Sequence, residues 1–233
     1  MSTTLTLDLH VHTNYSHDGR DPIEEIIKSA IAKRLDGIAI CDHDTMDGYY
    51  AARTYVADNN LDLIIISGIE VTTSQGHLLV LGIEKEITKG MSPAETIRSV
   101  RQQEQEKNGA IVIIAPHPFH PLRHSIGNVC LHPDIDAIEV FNSRYLFGAA
   151  NKRARLMATR HNITPVAGSD AHSAEFVGLA TVEVVVDRAH TSDEEAIVKR
   201  IKEGKVRITR CERTPFWVYF SQLSKRSAQE KPL

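Results

Sequence analysis

The chain has 233 residues, a net charge of −3 at pH 7, 42% hydrophobic and 24% charged residues, ordinary values for one α/β domain with a sizeable core. The mild charge and the lack of a basic block argue against strong dependence on nucleic-acid phosphates, and no apolar run approaches the roughly 20 residues that span a bilayer. Three unpatterned cysteines, Cys41, Cys130 and Cys211, and an opening Met1-Ser-Thr-Thr without the features of a secretory leader make a reduced, cytoplasmic setting the expectation.

The apolar run Leu5, Leu7, Leu9 reads as a strand that delivers His10 and His12. Alternate residues of a strand share a face, so both imidazoles point the same way. Residues 13–19 form a polar loop. Asp21-Pro-Ile-Glu24 reads as a helix start, with Asp21 as N-cap, Pro22 at N1 and Glu24 at N3. Ile23, Ile26, Ile27, Ala30 and Ile31 follow as its buried stripe. Gly37-Ile-Ala-Ile-Cys41 is a short apolar strand of the kind found in parallel sheets covered on both faces. It ends in Asp42-His43-Asp44.

A helix is predicted over 46–59 and a buried strand over 61–66, which runs into Gly68-Ile-Glu70. Residues 71–73, the turn Ser74-Gln-Gly76 and residues 77–82 read as a hairpin. His77 therefore starts a reversed strand and lies at the same end of the sheet as Glu70. Ser92-Pro-Ala-Glu95 is a capping box that opens a helix to about residue 108, closed by Gly109. A strand over 110–115 ends in Pro116-His117-Pro118. A His- and Pro-rich loop over 119–133 leads to a strand over 137–141 and to Asn142-Ser-Arg144. A helix over 149–161, a strand over 164–167 and Gly168-Ser-Asp170-Ala-His172 follow. A strand over 181–186, a helix over 192–203 capped by Ser192 and Glu195, and a strand over 205–209 come last. One domain over 1–223 is expected, with 224–233 as a flexible tail. The aromatic stretch 214–220 is expected to pack on the domain as a strand or lid.

Strand and helix alternate throughout, which defines an α/β domain with a mainly parallel sheet. The polar clusters follow the carboxyl ends of the strands, where such folds build their sites. Singly, each has an ordinary reading: Asp42 and Asp170 as caps, His117 as a turn histidine, Glu70 as an arginine partner. Jointly, so many imidazoles and carboxylates at one sheet edge call for a cation to offset repulsion and desolvation. The donors are nitrogen and oxygen with no thiolate, which suits Zn, Mn or Fe.

Asp8-Leu-His10-Val-His12, Ser16-His-Asp18-Gly19, Asp42-His43-Asp44, Gly68-Ile-Glu70, His117-Pro118 and Gly168-Ser-Asp170-Ala-His172 resemble the motifs of the polymerase and histidinol phosphatase (PHP) family. They occur in that family's order. The resemblance implies a distorted (β/α)7 barrel, mostly parallel with one reversed hairpin strand, holding two or three divalent metal ions and hydrolysing phosphate esters. Position by position it implies His10, His12, Glu70 and Asp170 for a first ion. Glu70, His77 and His117 would hold a second, and Asp18, His43 and His172 a third. His17 competes with Asp18 as the loop ligand, and the Ser-x-Asp-Gly spacing favours Asp18. Asp42 would orient a ligand. Phosphate charge falls to the metals and to Arg144 and Arg123, and His120 is a candidate proton donor.

The expected substrate is a small phosphate monoester, a nucleotide or phosphorylated metabolite, attacked by a hydroxide bridging two ions. Histidinol phosphate, a nuclease substrate, and a non-catalytic role in a nucleic-acid-processing complex stay open, with nucleic acid not favoured as partner. An amidohydrolase barrel would need a bridging lysine where Glu70 stands. No membrane partner is expected, and the oligomeric state is left open.

Overall fold

In the computed structural model the described residues are 1–121, 123–145 and 148–215. The expected tail over 224–233 and most of the stretch 214–220 lie outside them. The first half of the chain forms β1 (Ser2–Val11), α1 (Ile23–Ala32), β2 (Gly37–Ile40), α2 (Asp47–Asp58), β3 (Ile64–Thr73), β4 (Gly76–Leu81) and α3 (Pro93–Lys107). The second forms β5 (Val112–Ala115), β6 (Ala137–Asn142), α4 (Ala149–His161), β7 (Thr164–Gly168), β8 (Ala180–Asp187), α5 (Glu194–Lys202) and β9 (Val206–Cys211).

The strands make one sheet in the order β7-β6-β5-β4-β3-β2-β1-β8-β9. β4 is antiparallel to β3 and β5, as the hairpin reading requires. Beyond β7 the chain returns to β1: Ala171 bridges Val11 in parallel, and the His12 N–H donates to the Ala171 carbonyl at 2.8 Å. β1 to β7 thus close into a distorted barrel at their mouth, while β8 pairs antiparallel with the first half of β1, Ser2 to Leu7. The expected barrel is present, with one difference. β8 is a second reversed strand, and β9 extends the sheet beside it. Burial pattern reports a strand's faces and not its direction, so the sequence does not distinguish the two arrangements.

Two apolar layers hold the barrel. Leu5, Leu7 and Leu9 point inward with Ile66, Leu79 and Val112, and Ile197, Val198 and Ile201 of α5 join them. Ile26, Ile38, Ile69, Val80 and Ile138 lie between strands and helices. The helix ends differ in detail from the sequence reading. Asp21 does not cap α1; its Oδ2 accepts from the Ala174 N–H at 2.7 Å and ties the first loop to the last motif. The Ser92–Glu95 capping box forms, but α3 ends on Asn108 with φ 51°, a left-handed conformation that Asn tolerates, and not on Gly109. α5 is capped by Asp193 in place of Ser192, because Glu195 is drawn off to the Ala110 N–H.

Candidate metal centre

A bulge in β1 builds the first part of the site. Asp8 pairs with Ile38 but Val11 with Ile40, so β1 spends one residue more than β2. Up to Leu9 the odd residues face the barrel interior; beyond the bulge Val11 faces the helices. The extra residue turns His10 and His12 inward, the use of a bulge to re-aim side chains. Glu70 continues the inward alternation of Ile66 along β3, and His77 that of Leu79 and Leu81 along β4. His117 and Asp170, just past β5 and β7, have φ of 29° and 53°. Such backbone is uncommon for non-glycine residues and gathers at functional sites.

Glu70 stands at the centre. Its Oε1 lies 3.0 Å from His77 Nδ1 and 3.0 Å from His117 Nε2. Its Oε2 lies 3.3 Å from His10 Nε2 and 3.2 Å from His12 Nε2. Asp170 Oδ1 lies 3.5 Å from His12 Nε2 and 3.9 Å from His10 Nε2. Asp18 Oδ2 lies 2.6 Å from His172 Nε2 and 3.8 Å from His43 Nε2. Three groups, His12-Asp18-His43-His172, His10-His12-Glu70 and His43-Glu70-His77, each bring one donor atom per residue within 4.8 Å of one another.

The electrostatics fit a cation. Burial alone would raise the Glu70 pKa, but the imidazoles of His43, His77 and His10 outweigh it and hold the carboxyl well below its ordinary range. Asp170 is likewise held low, with Arg123, His10 and Arg144 outweighing burial. Burial pushes His12, His117 and His172 down, toward the neutral form that coordinates metals. Burial opposes protonation of His10, yet Asp170, Glu139 and Glu70 draw its pKa well up. Asp18 Oδ1, Asp170 Oδ1, His43 Nδ1 and His117 Nδ1 are buried without a hydrogen-bond partner among the described residues.

All nine residues expected as ligands converge here. Asp18 reaches the cluster, whereas the His17 ring lies tilted against His43, centroids 5.0 Å apart, and lines the cavity. The Asp42 carboxylate holds the Thr13 N–H and hydroxyl, each at 2.7 Å, and reaches no histidine ring by hydrogen bond. Its carbonyl receives the Glu70 N–H at 3.1 Å. Arg123 donates to Asp170 Oδ2, and Arg144 lies 3.6 Å from Asp170 Oδ1. His120 sits edge-on to Tyr145, and burial lowers its pKa to about 4. Glu139, Asn142 and Ser16 were not read from the sequence as site residues, although Ser16 and Asn142 stand in the segments Ser16-His-Asp18-Gly19 and Asn142-Ser-Arg144. Glu139 had a signal: it is an acid in phase with Ala137 and Phe141, the inward face of an apolar strand.

Beside the cluster lies a cavity of about 350 Å³, lined by His17, Asp18, Thr72, Arg123 and His124 together with Glu70, His43, His77 and His117. A larger cleft of about 760 Å³, at Tyr49, Arg53 and Glu194, contains none of these residues.

An α/β barrel with this donor set at its mouth defines a metal-dependent hydrolase. A family model described as PHP domain matches residues 8–172, and one described as PHP-associated matches residues 148–206. The chain belongs to the PHP domain family, and it is a metal-dependent hydrolase acting on ester bonds. It is 34% identical over 157 residues to the uncharacterized protein MJ1587 of Methanocaldococcus jannaschii, covering 63% of this chain and 87% of that one. It is 39% identical over 81 residues to the 5'-3' exoribonuclease Rnm of Salmonella typhimurium, covering 33% of this chain and 27% of that one. A two-domain protein from Bacteroides vulgatus, described as containing a predicted PHP-like metal-dependent phosphoesterase, shares the fold with a TM-score of 0.70 at 16% identity. The match covers 90% of this chain and 66% of that one. No helix among the described residues is long and apolar enough to cross a membrane.

Proposed function

We propose that the chain is a phosphoesterase that hydrolyses a small phosphate monoester, a nucleotide or phosphorylated metabolite, at a centre of two or three divalent ions. His10, His12, Glu70 and Asp170 would hold the first ion, Glu70, His77 and His117 the second, and Asp18, His43 and His172 the third. The observation that carries the reading is Glu70, whose two oxygens face two separate sets of imidazoles, as a bridging carboxylate must. Divalent ions held there supply Lewis acidity, lower the pKa of water and offset phosphate charge.

The chain's own residues would do the rest. Arg123 lines the cavity and would meet phosphate oxygens there, and Arg144, beside His172, would support it. Arg suits this role because its planar fork matches phosphate oxygens. The buried imidazoles of His12, His117 and His172, which burial holds toward the neutral form, would offer lone pairs to the ions. A cavity near the lower bound for ligand pockets favours a small substrate over a long strand. The match to an exoribonuclease supports a second reading, release of terminal nucleotides from RNA.

Protein loaded with Mn or Zn, assayed against phosphorylated metabolites, mononucleotides and short oligonucleotides, separates these readings. Phosphate release from small monoesters, abolished by a chelator, is the expected result. Cleavage of oligonucleotides alone favours the second reading, and undiminished turnover in metal-free protein refutes both.

A further inference from the structure

Glu139 touches the candidate centre at three points, and the residue is 1% exposed. Its Oε1 lies 3.0 Å from His10 Nδ1. Its Oε2 accepts from the His117 backbone N–H at 2.7 Å and from Asn142 Nδ2 at 2.8 Å. Asn142 Nδ2 also donates to Asp170 Oδ2 at 2.9 Å. One acid on β6 therefore reaches residues from β1, from the turn after β5 and, through Asn142, from the turn after β7. We infer that Glu139 is a positioning residue that holds His10 and His117 in ligand geometry together. The inference rests on the metal reading proposed above.

The chemistry requires an acceptor on both oxygens. A carboxylate accepts at each and donates at neither, so it suits three converging N–H groups. Holding the proton on His10 Nδ1 leaves Nε2, the atom that faces Glu70 and His12, as the coordinating nitrogen. The bond to the His117 N–H anchors a residue whose backbone lies at φ 29°. That conformation needs a fixed partner to persist. Because His10 belongs to the first proposed ligand set and His117 to the second, the two sets share a brace as well as Glu70.

Glu139→Gln keeps the volume but turns an NH2 toward at least one of the three donors. In the zinc-loaded wild-type chain, 15N spectra should show His10 protonated at Nδ1. The variant should keep its circular dichroism and elution volume, lose that single tautomer, and bind zinc roughly 10- to 100-fold more weakly in competition with a chromophoric chelator. A variant with wild-type zinc affinity and an unchanged His10 tautomer overturns the inference. So does a wild-type His10 protonated at Nε2, a reading that decides the matter even if the variant fails to fold. A wild-type chain that binds none of zinc, manganese or iron overturns the metal reading itself, and this inference with it.

Discussion

A Cβ on Gly168 would stand 2.5 Å from the Cβ of His10 and 2.7 Å from Glu139 Oε1. The end of β7 thus lies hard against the first candidate ligand, and only a residue without a side chain leaves room. Gly168→Ala should cost about 1–3 kcal/mol through overpacking and should tilt His10. Thermal melts with and without zinc check this. The expected result is a lower melting temperature and a smaller rise on adding metal, while a wild-type rise would show that His10 had not moved.

Glu70→Gln keeps the shape of the proposed bridge and removes its charge. The loss is expected to lower phosphate release by orders of magnitude and to reduce the metal bound per chain. Elemental analysis of the purified variant, alongside turnover, checks both. Full metal content with full activity would remove Glu70 from the centre.

Arg123 meets Asp170 at the cavity wall. Hydrogen bonds to charged groups contribute about 1.5–3 kcal/mol, so Arg123→Ala is expected to raise KM for a phosphorylated substrate by roughly 10- to 100-fold. Steady-state kinetics on metal-loaded protein test it. A fall in kcat at constant KM would move Arg123 from binding to the chemical step.

Away from the site, Glu104 ties α3 to α5 and to the start of β5. It pairs with Lys202, accepts from the Ile111 N–H at 2.8 Å and meets Arg101 at 2.9 Å. Burial would raise its pKa, but these partners outweigh burial and hold it below the ordinary value. A depressed carboxyl contributes stability above its unfolded pKa and loses it as pH falls through the folded one. Glu104→Gln should therefore melt lower than wild type at neutral pH, with the gap closing in acid. A gap that persists below the carboxylate range would count against the ion pair.

The candidate site was more legible in the sequence than the fold's details. His10, His12, His43, Glu70, His117, Asp170 and His172 end or follow apolar runs, His77 starts a reversed one and Asp18 lies in the loop after the first, and a barrel brings such ends to one mouth. The hairpin reading set His77 at the same end of the sheet as Glu70 because a turn fixes direction. Nothing comparable marks β8, whose alternation suits either direction. The β1 bulge went unread as well: Leu5-x-Leu7-x-Leu9 and His10-x-His12 are both period-two patterns, and its trace in the sequence is the change from odd to even positions between Leu9 and His10. Asp21 does not cap α1 and the Ser192–Glu195 box does not form because N–H groups far along the chain, those of Ala174 and Ala110, take the carboxylates of Asp21 and Glu195, and local sequence does not report such competition.

The seam between β1 and the turn after β7 also sets when the centre can come into being. Val11 bridges Ala171, and His10 and His12 face Asp170 across that seam. Of the two carboxylate partners they share, Glu70 follows His10 by some 60 residues and Asp170 by some 160. Contacts so distant along the chain form late. Until that seam closes, His10 and His12 have Glu70 within reach but lack Asp170, so the proposed first ligand set would be completed only with the closed barrel.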